Sequence, residues 1–147
     1  MKYEALDQHT YVIRLEKGES LQSCLFAFCK KTSVGNALFW GIGSVEDPLL
    51  AHYRVDTKKY SDKRLSGIFE LVNLTGTVAK DPESSVMVHM HATISDEEMQ
   101  MYGGHLVDAV VSATVEIVLK HFSTSFEKVY DQDIGLKLWN LKDKQKS

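Results

Sequence analysis

Cysteine is scarce in this chain of 147 residues, which contains only Cys24 and Cys29. On a helix these two residues would lie on well-separated faces, so they cannot easily pair with each other. Their spacing also matches no cysteine-based zinc site. A low cysteine content is typical of proteins from a reducing compartment, and we expect a cytoplasmic protein.

Long apolar runs and dense basic runs are absent as well. No segment approaches the roughly 20 apolar residues of a membrane span, and the first residues lack the apolar segment of a signal peptide. We therefore expect no membrane partner. The formal net charge is −3, which gives DNA binding little electrostatic support except through a local basic patch.

The composition that remains is typical of one globular domain. Hydrophobic residues make up 44% of the chain and charged residues 25%, which are ordinary values for a soluble protein. We therefore expect a single domain over residues 1–147, with its core at about residues 11–141.

One main helix is predicted in the N-terminal part of the chain. Ser20 is a suitable N-cap. Apolar residues then follow at helical spacing: Leu21, Cys24, Leu25 and Phe28. Gly35 predicts the end of this helix, and we expect its apolar stripe to pack in the core.

Most of the other segments are rich in β-branched and aromatic residues, which indicates strands. The clearest signal is the alternation of apolar and polar residues from Val107 to Leu119. The predicted strands cover residues 11–16, 37–45, 49–55, 68–78, 86–93, 107–119, 126–130 and 135–141. Many strands with one main helix predict an α+β fold built on a largely antiparallel β-sheet.

Three connections carry predictions of their own. Residues 46–48 are expected to form a hairpin turn between the strands on either side. Residues 95–98 resemble a capping box and predict a short helical turn. The polar segment 56–64 is expected to be a loop or an edge strand. Its basic residues are Lys58, Lys59, Lys63 and Arg64.

Three of the six histidines lie close together in the sequence. In a strand, His89 and His91 share one face, about 6.6–7 Å apart. A third histidine, His105, follows a pair of glycines, Gly103 and Gly104. Three imidazoles can form a metal site with an open fourth position. The alternative is a row of polar histidines on a half-buried sheet, without metal.

The direction of His105 is left open by the sequence. If the strand that begins at Val107 extends back to it, His105 has the same parity as the apolar residues and points inward. The glycine pair can instead turn it aside.

Several short segments occur in a characteristic order along the chain. They are Gly18-Glu19, Gly41-Ile42-Gly43-Ser44, Phe69-Glu70-Leu71, Leu74-Thr75-Gly76, His89-Met90-His91, Gly103-Gly104-His105-Leu106 and Thr114-Val115-Glu116-Ile117. Together they resemble the plants-and-prokaryotes conserved (PPC) domain over most of the chain. The resemblance implies one major helix against an antiparallel sheet and assembly as a homotrimer. Single-domain prokaryotic members are often described as DNA-binding proteins.

The resemblance also implies roles for individual residues. The histidines of the family's H-x-H and GGH motifs match His89, His91 and His105, which implies a metal site with zinc or another divalent transition metal as cofactor. This chain has Ile68 where the family has an arginine before its Phe-Glu pair, so no role of that arginine is expected here. No AT-hook is present, which excludes minor-groove binding by that device.

These observations predict a trimeric metal-binding PPC-domain protein that serves as a DNA-associated or regulatory module. One alternative is a metal-dependent enzyme that acts on a small molecule through the three histidines. Glu70 and Glu116 are then the candidate catalytic residues, as a general base or as a hydrogen-bond partner of an imidazole. A second alternative is a structural module whose histidines line the trimer interface.

Overall fold

The computed structural model describes residues 1–83 and 85–142. Within these residues the chain forms nine strands and one helix. In chain order they are β1 (Lys2–Ala5), β2 (Thr10–Glu16), α1 (Leu21–Thr32), β3 (Ala37–Arg54), β4 (Lys59–Arg64), β5 (Ile68–Asp81), β6 (Ser85–Ser95), β7 (Met101–His121), β8 (Lys128–Asp131) and β9 (Leu136–Trp139).

Seven of these strands form one antiparallel sheet in the order β1-β2-β7-β6-β5-β3-β4. Because β3 also pairs with β7, strands β3, β5, β6 and β7 make a closed ring of paired strands. Strands β8 and β9 form a separate hairpin. The predicted α+β fold, with a largely antiparallel sheet and one main helix, is confirmed.

The core joins one face of the helix to the sheet. Leu21, Leu25 and Phe28 of α1 are fully buried and belong to the same apolar cluster as Met90 of β6 and Leu106 of β7. Removing this surface from water is the main force that holds the elements together. It also decides which face of β6 points inward.

The helix begins where the sequence predicts. The hydroxyl oxygen of Ser20 accepts a hydrogen bond from the N–H of Ser23 at 3.1 Å, and the same hydroxyl donates to the carboxylate of Asp108 on β7 at 3.0 Å. The helix ends earlier than predicted, because Ser33 and not Gly35 adopts the left-handed cap conformation, at φ 58°. Because the hydroxyl of Ser20 bonds both Ser23 and Asp108, the N-cap also attaches the helix to the sheet.

Both cysteines lie on α1 and are free, as their spacing predicts. The helix spans 12 residues. Within residues 1–83 and 85–142, no helix has the length and apolar character needed to cross a membrane.

The predicted hairpin turn at residues 46–48 is wrong. Strand β3 runs through this segment, with a shift in its register against β7. The N–H of Asp47 donates to the carbonyl of Gly67 at 2.9 Å, and the N–H of Gly67 donates to the carboxylate of Asp47 at 2.8 Å. Pro48 therefore lies at a bulge, and β3 continues to its hairpin with the edge strand β4.

The predicted helical turn at residues 95–98 is also wrong. Ser95 is buried and pairs with both β5 and β7, so it ends a strand and does not cap a helix. The carboxylate of Asp96 instead accepts hydrogen bonds from the N–H of Gln100 at 2.8 Å and the hydroxyl of Tyr102 at 3.0 Å. A tight turn therefore links β6 directly to β7.

The remaining differences lie at exposed strands. β1 was not predicted, because its four residues are all exposed and show no apolar alternation. The segment 56–64 was predicted to be a loop or an edge strand, and it contains the edge strand β4. The strands predicted at 126–130 and 135–141 are present as the shorter β8 and β9.

Candidate metal centre

Three histidines meet on one face of strands β6 and β7. His89 and His91 lie two residues apart on β6, and His91 is directly opposite His105 of β7. The ring centroids are 5.1 Å apart for His89 and His91, 5.0 Å for His89 and His105, and 5.6 Å for His91 and His105. One nitrogen from each ring lies within 4.8 Å of the others. We call these three residues the histidine cluster.

A bulge in β7 turns His105 away from the core. Leu106 and Ala109 are both buried, whereas Val107 between them is exposed. The inward face therefore changes parity between these residues, where β7 shifts register against β3. His105 lies on the opposite face from Leu106 and so faces the other histidines.

The glycine pair before His105 lets three strands approach closely. A Cβ atom at Gly103 would lie 3.0 Å from the carbonyl oxygen of Ala92 on β6, and one at Gly104 would lie 3.0 Å from that of Ala51 on β3. Both distances are shorter than ordinary contacts of a Cβ atom. The glycines thus allow β7 to pair with both neighbours at the cluster.

Burial favours the neutral form of two of the rings. It lowers the pKa of His89 from 6.5 to about 4, with smaller contributions from the positive charge of Lys128 and from the other two histidines. Burial also lowers the pKa of His105, with smaller contributions from His91 and Lys128. Neutral imidazoles present the lone pairs that a metal ion binds.

One buried nitrogen of the histidine cluster makes no hydrogen bond to the described residues. Nδ1 of His105 is buried and has no hydrogen-bond partner among the described residues, which is unfavourable for a polar atom. Three imidazole nitrogens form a donor set that suits zinc or another divalent transition metal. The residues present therefore fit the predicted cofactor.

The hairpin formed by β8 and β9 places a lysine beside the cluster. Lys128 is only 8% exposed, and its ammonium nitrogen lies 3.5 Å from Nδ1 of His89. Burial lowers the pKa of Lys128. Sequence reasoning missed this residue, because a lone lysine in a short strand usually faces solvent.

A groove of about 850 Å³ opens beside the histidine cluster, where it is lined by His89, His105 and Lys128. Its other walls come mainly from the hairpin, with one residue from β4. They include Tyr60, Tyr130, Leu136, Leu138 and Trp139. The ring of Tyr60 lies 5.5 Å from that of His105. A small organic molecule fits a groove of this size.

The two candidate catalytic glutamates lie elsewhere. Glu70 pairs with Ser95 near the start of β5. Glu116 of β7 is opposite Arg14 of β2 and lines a different groove, of about 720 Å³. In the part of the chain that the structure describes, neither glutamate lines the groove beside the histidine cluster.

Comparison with known families identifies the family of the chain. Residues 3–123 match the Plants and Prokaryotes Conserved (PCC) domain, the PPC domain named above. The chain belongs to the PPC family. The PPC match ends before the hairpin that carries Lys128.

Solved structures of similar proteins support the PPC fold. A PPC protein from Pyrococcus horikoshii is 33% identical, with 91% of this chain and 92% of that chain covered and a TM-score of 0.83. A protein from Bacteroides thetaiotaomicron, described as a candidate DNA-binding protein, is 26% identical, with coverage of 95% and 96% and a TM-score of 0.90. A metal-containing protein from Archaeoglobus fulgidus is 28% identical, with coverage of 95% and 99% and a TM-score of 0.83. No curated protein matches the chain.

The lowered pKa of His89 predicts a loss of stability in acid for the metal-free protein. Because the folded pKa of about 4 lies below the ordinary value of 6.5, the unfolded chain binds the extra proton as the pH falls through this window. Between pH 7.5 and pH 4.5 we expect the free energy of unfolding to fall by about 1–2 kcal/mol more in the native chain than in His89→Gln. This difference is smaller than the full pKa shift implies, because the ring is partly exposed and solvent screens its charge.

Urea unfolding in the presence of a chelator at pH 7.5 and pH 4.5 measures this difference. His52→Gln, a substitution of an exposed histidine outside the cluster, serves as the control and should keep the pH dependence of the native chain. The same pH dependence in His89→Gln would contradict the prediction.

Proposed function

We propose that this PPC protein binds zinc or another divalent transition metal through His89, His91 and His105. The observation that carries the proposal is the approach of one nitrogen from each ring to within 4.8 Å of the others. The buried Nδ1 of His105, which needs a partner, supports it. The description of the similar Archaeoglobus fulgidus protein as metal-containing supports it as well.

We further propose that the protein assembles as a homotrimer. Leu38, Trp40 and Ile42 alternate along the outer face of β3 and are exposed by 41%, 49% and 62%. Val118 of β7 lies beside Trp40 on the neighbouring strand. A contiguous row of exposed apolar side chains is typical of a protein interface, so this face of the sheet is our candidate for the contact between copies.

The biological role we propose is that of a DNA-associated or regulatory module in the cytoplasm. The description of the similar Bacteroides thetaiotaomicron protein supports DNA as a partner. The edge strand β4 presents Lys59, Lys63 and Arg64, all exposed, and a trimer would bring three copies of this basic strand into one particle. Both cysteine thiols are free, which is consistent with a reducing compartment.

The second candidate function is that of a metal-dependent enzyme acting on a small molecule. The groove of about 850 Å³ beside the cluster favours it. His89, His91 and His105 would hold the metal, which would supply a Lewis acid that can activate a water molecule or polarise a carbonyl group. Neither Glu70 nor Glu116 lines this groove. Their catalytic role therefore stays a prediction.

Alanine substitutions test the metal site. We expect about one zinc ion per native chain and a fall in zinc affinity of at least about 100-fold in His89→Ala, His91→Ala and His105→Ala, because each variant removes one of three ligands. Elemental analysis after equilibrium dialysis against buffered zinc gives both numbers. His52→Ala, an exposed histidine outside the cluster, should bind zinc like the native chain. Unchanged zinc content in the cluster variants would refute the site.

A charge placed on the apolar face of β3 tests the trimer. We expect the native chain to sediment as three copies and Ile42→Glu as one, because a carboxylate in an apolar interface loses its hydration without a partner. Val55→Glu is the matched control, because Val55 is 59% exposed and lies outside β3. Sedimentation equilibrium measures the mass, and a trimeric Ile42→Glu would rule out this face as the interface.

A gel-shift titration against salt tests DNA association. If the basic residues of β4 neutralise phosphates, replacing Lys59 and Lys63 by glutamine should weaken duplex binding by roughly fivefold and reduce its salt dependence. Replacing Lys2 and Lys17, which carry the same charge elsewhere, should have a smaller effect. Absence of any retarded duplex at low salt would remove direct DNA binding from the proposal.

A further inference from the structure

Lys128 is a buried cation that forms no ion pair with a carboxylate of the described residues. It is 8% exposed, and its ammonium nitrogen lies 3.5 Å from Nδ1 of His89, at the long end of hydrogen-bond distance. Lys137 on the same hairpin shows the contrast, because it forms ion pairs with Asp81 at 3.0 Å and Glu83 at 2.6 Å. No such ion pair involves Lys128 within residues 1–83 and 85–142.

The hydrogen bond between Lys128 and His89 is incompatible with a metal on His89. A neutral imidazole has one nitrogen with a lone pair and one that carries a proton. When Nδ1 accepts from the ammonium of Lys128, Nε2 is protonated and cannot bind a metal. A metal on Nδ1 takes that lone pair, and a metal on Nε2 leaves the proton on Nδ1. Metal binding therefore removes the partner of Lys128.

A metal-loaded cluster would then place an ammonium group without a partner beside a second cation. Burying such a charge is costly unless an opposite charge accompanies it. The groove offers room for one, and its hairpin wall is largely apolar, with Leu136, Leu138 and Trp139. A ligand with an anionic group next to Lys128 and an apolar part along this wall satisfies both features.

We propose that the groove beside the histidine cluster binds a small carboxylate with an apolar body, and that Lys128 holds the carboxylate. This inference rests on the metal site proposed above. A carboxylate fits better than a phosphate, because the groove's other lysine, Lys137, is already neutralised by its ion pairs, whereas a phosphate usually recruits several donors. Lys128 is thus a binding residue contributed from outside the segment, residues 3–123, that matches the family.

The hairpin that carries Lys128 is fixed to the rest of the fold. The hydroxyl of Tyr53 donates to the carbonyl of Ile134 at 2.6 Å, and the ammonium of Lys58 donates to that of Gln132 at 2.7 Å. Lys128 is therefore held at a defined place beside the cluster before any ligand arrives, which lowers the entropic cost of binding.

The test is a ligand titration of the cobalt-loaded protein, followed by its visible absorption spectrum. The probes are hexanoate, acetate and inorganic phosphate. We expect hexanoate to bind at least about tenfold more tightly than acetate, because its longer chain buries more apolar surface. We expect Lys128→Met to weaken hexanoate binding by about 10-fold to 100-fold, as loss of a charge-assisted hydrogen bond does. Lys128→Gln should behave in the same way and provides a second variant if the first is poorly folded.

Lys120→Met is the control, because it removes the same charge from an exposed lysine of β7 that does not line the groove. Its hexanoate affinity should stay within about threefold of the native value, since distant substitutions act independently. In the absence of any carboxylate, Lys128→Met should also bind Co²⁺ about tenfold more tightly than the native chain, because the competing cation is gone.

The outcomes separate this inference from the metal site on which it rests. If Co²⁺ binds but hexanoate leaves the spectrum unchanged, or if both Lys128 variants match the native chain, the carboxylate site is overturned and the metal site stands. Tighter binding of phosphate than of hexanoate also overturns the choice of a carboxylate. If the native chain does not bind Co²⁺, or if His91→Ala binds it equally well, the metal site fails and the carboxylate site fails with it.

Discussion

The register between β6 and β7 is the constraint on which the candidate site depends. Side chains on a strand alternate between faces, so a slip of one residue would turn His91 into the core and expose Met90. The burial of Val88, Met90 and Ala92 makes such a slip costly, because each would lose its apolar surroundings. The same packing that stabilises the sheet therefore aligns His91 with its partner strand, and no separate device is needed to orient the ring.

Desolvation makes the site chemically unlike the rest of the surface. Two histidine rings are partly removed from water and Lys128 almost fully, with no ion pair to a carboxylate among the described residues, and the pKa of each of these groups is lowered by burial. Such an arrangement does not serve stability, since an apolar residue in the place of Lys128 would avoid the cost. Groups held in this way are characteristic of functional sites, where the local cost is offset by the packing of the rest of the fold.

The features of the site that depend only on local sequence could be predicted, whereas those that depend on contacts between distant segments could not. The shared face of His89 and His91 depends only on the period of a strand, so the sequence was sufficient. The direction of His105 depends on a bulge where β7 meets β3, which is a property of two distant segments. In the same way, the local turn signal of Pro48 was overridden by hydrogen bonds to a distant glycine. The burial of Lys128 arises only when the hairpin packs on the sheet, and no short pattern encodes that packing.

The attachment of the hairpin to the sheet has an evolutionary consequence. Besides the ion pairs of Lys137, three of its anchors are backbone carbonyl oxygens. Those of Gln132 and Ile134 in the hairpin, and that of Phe126 just before it, accept hydrogen bonds from side chains of the main body. Every amino acid supplies such a carbonyl, so these three anchors do not depend on the side chains at positions 126, 132 and 134. The apolar wall of the groove, with Leu136, Leu138 and Trp139, can therefore change without loss of these three anchors, and the shape of the groove can diverge while the histidine cluster stays the same.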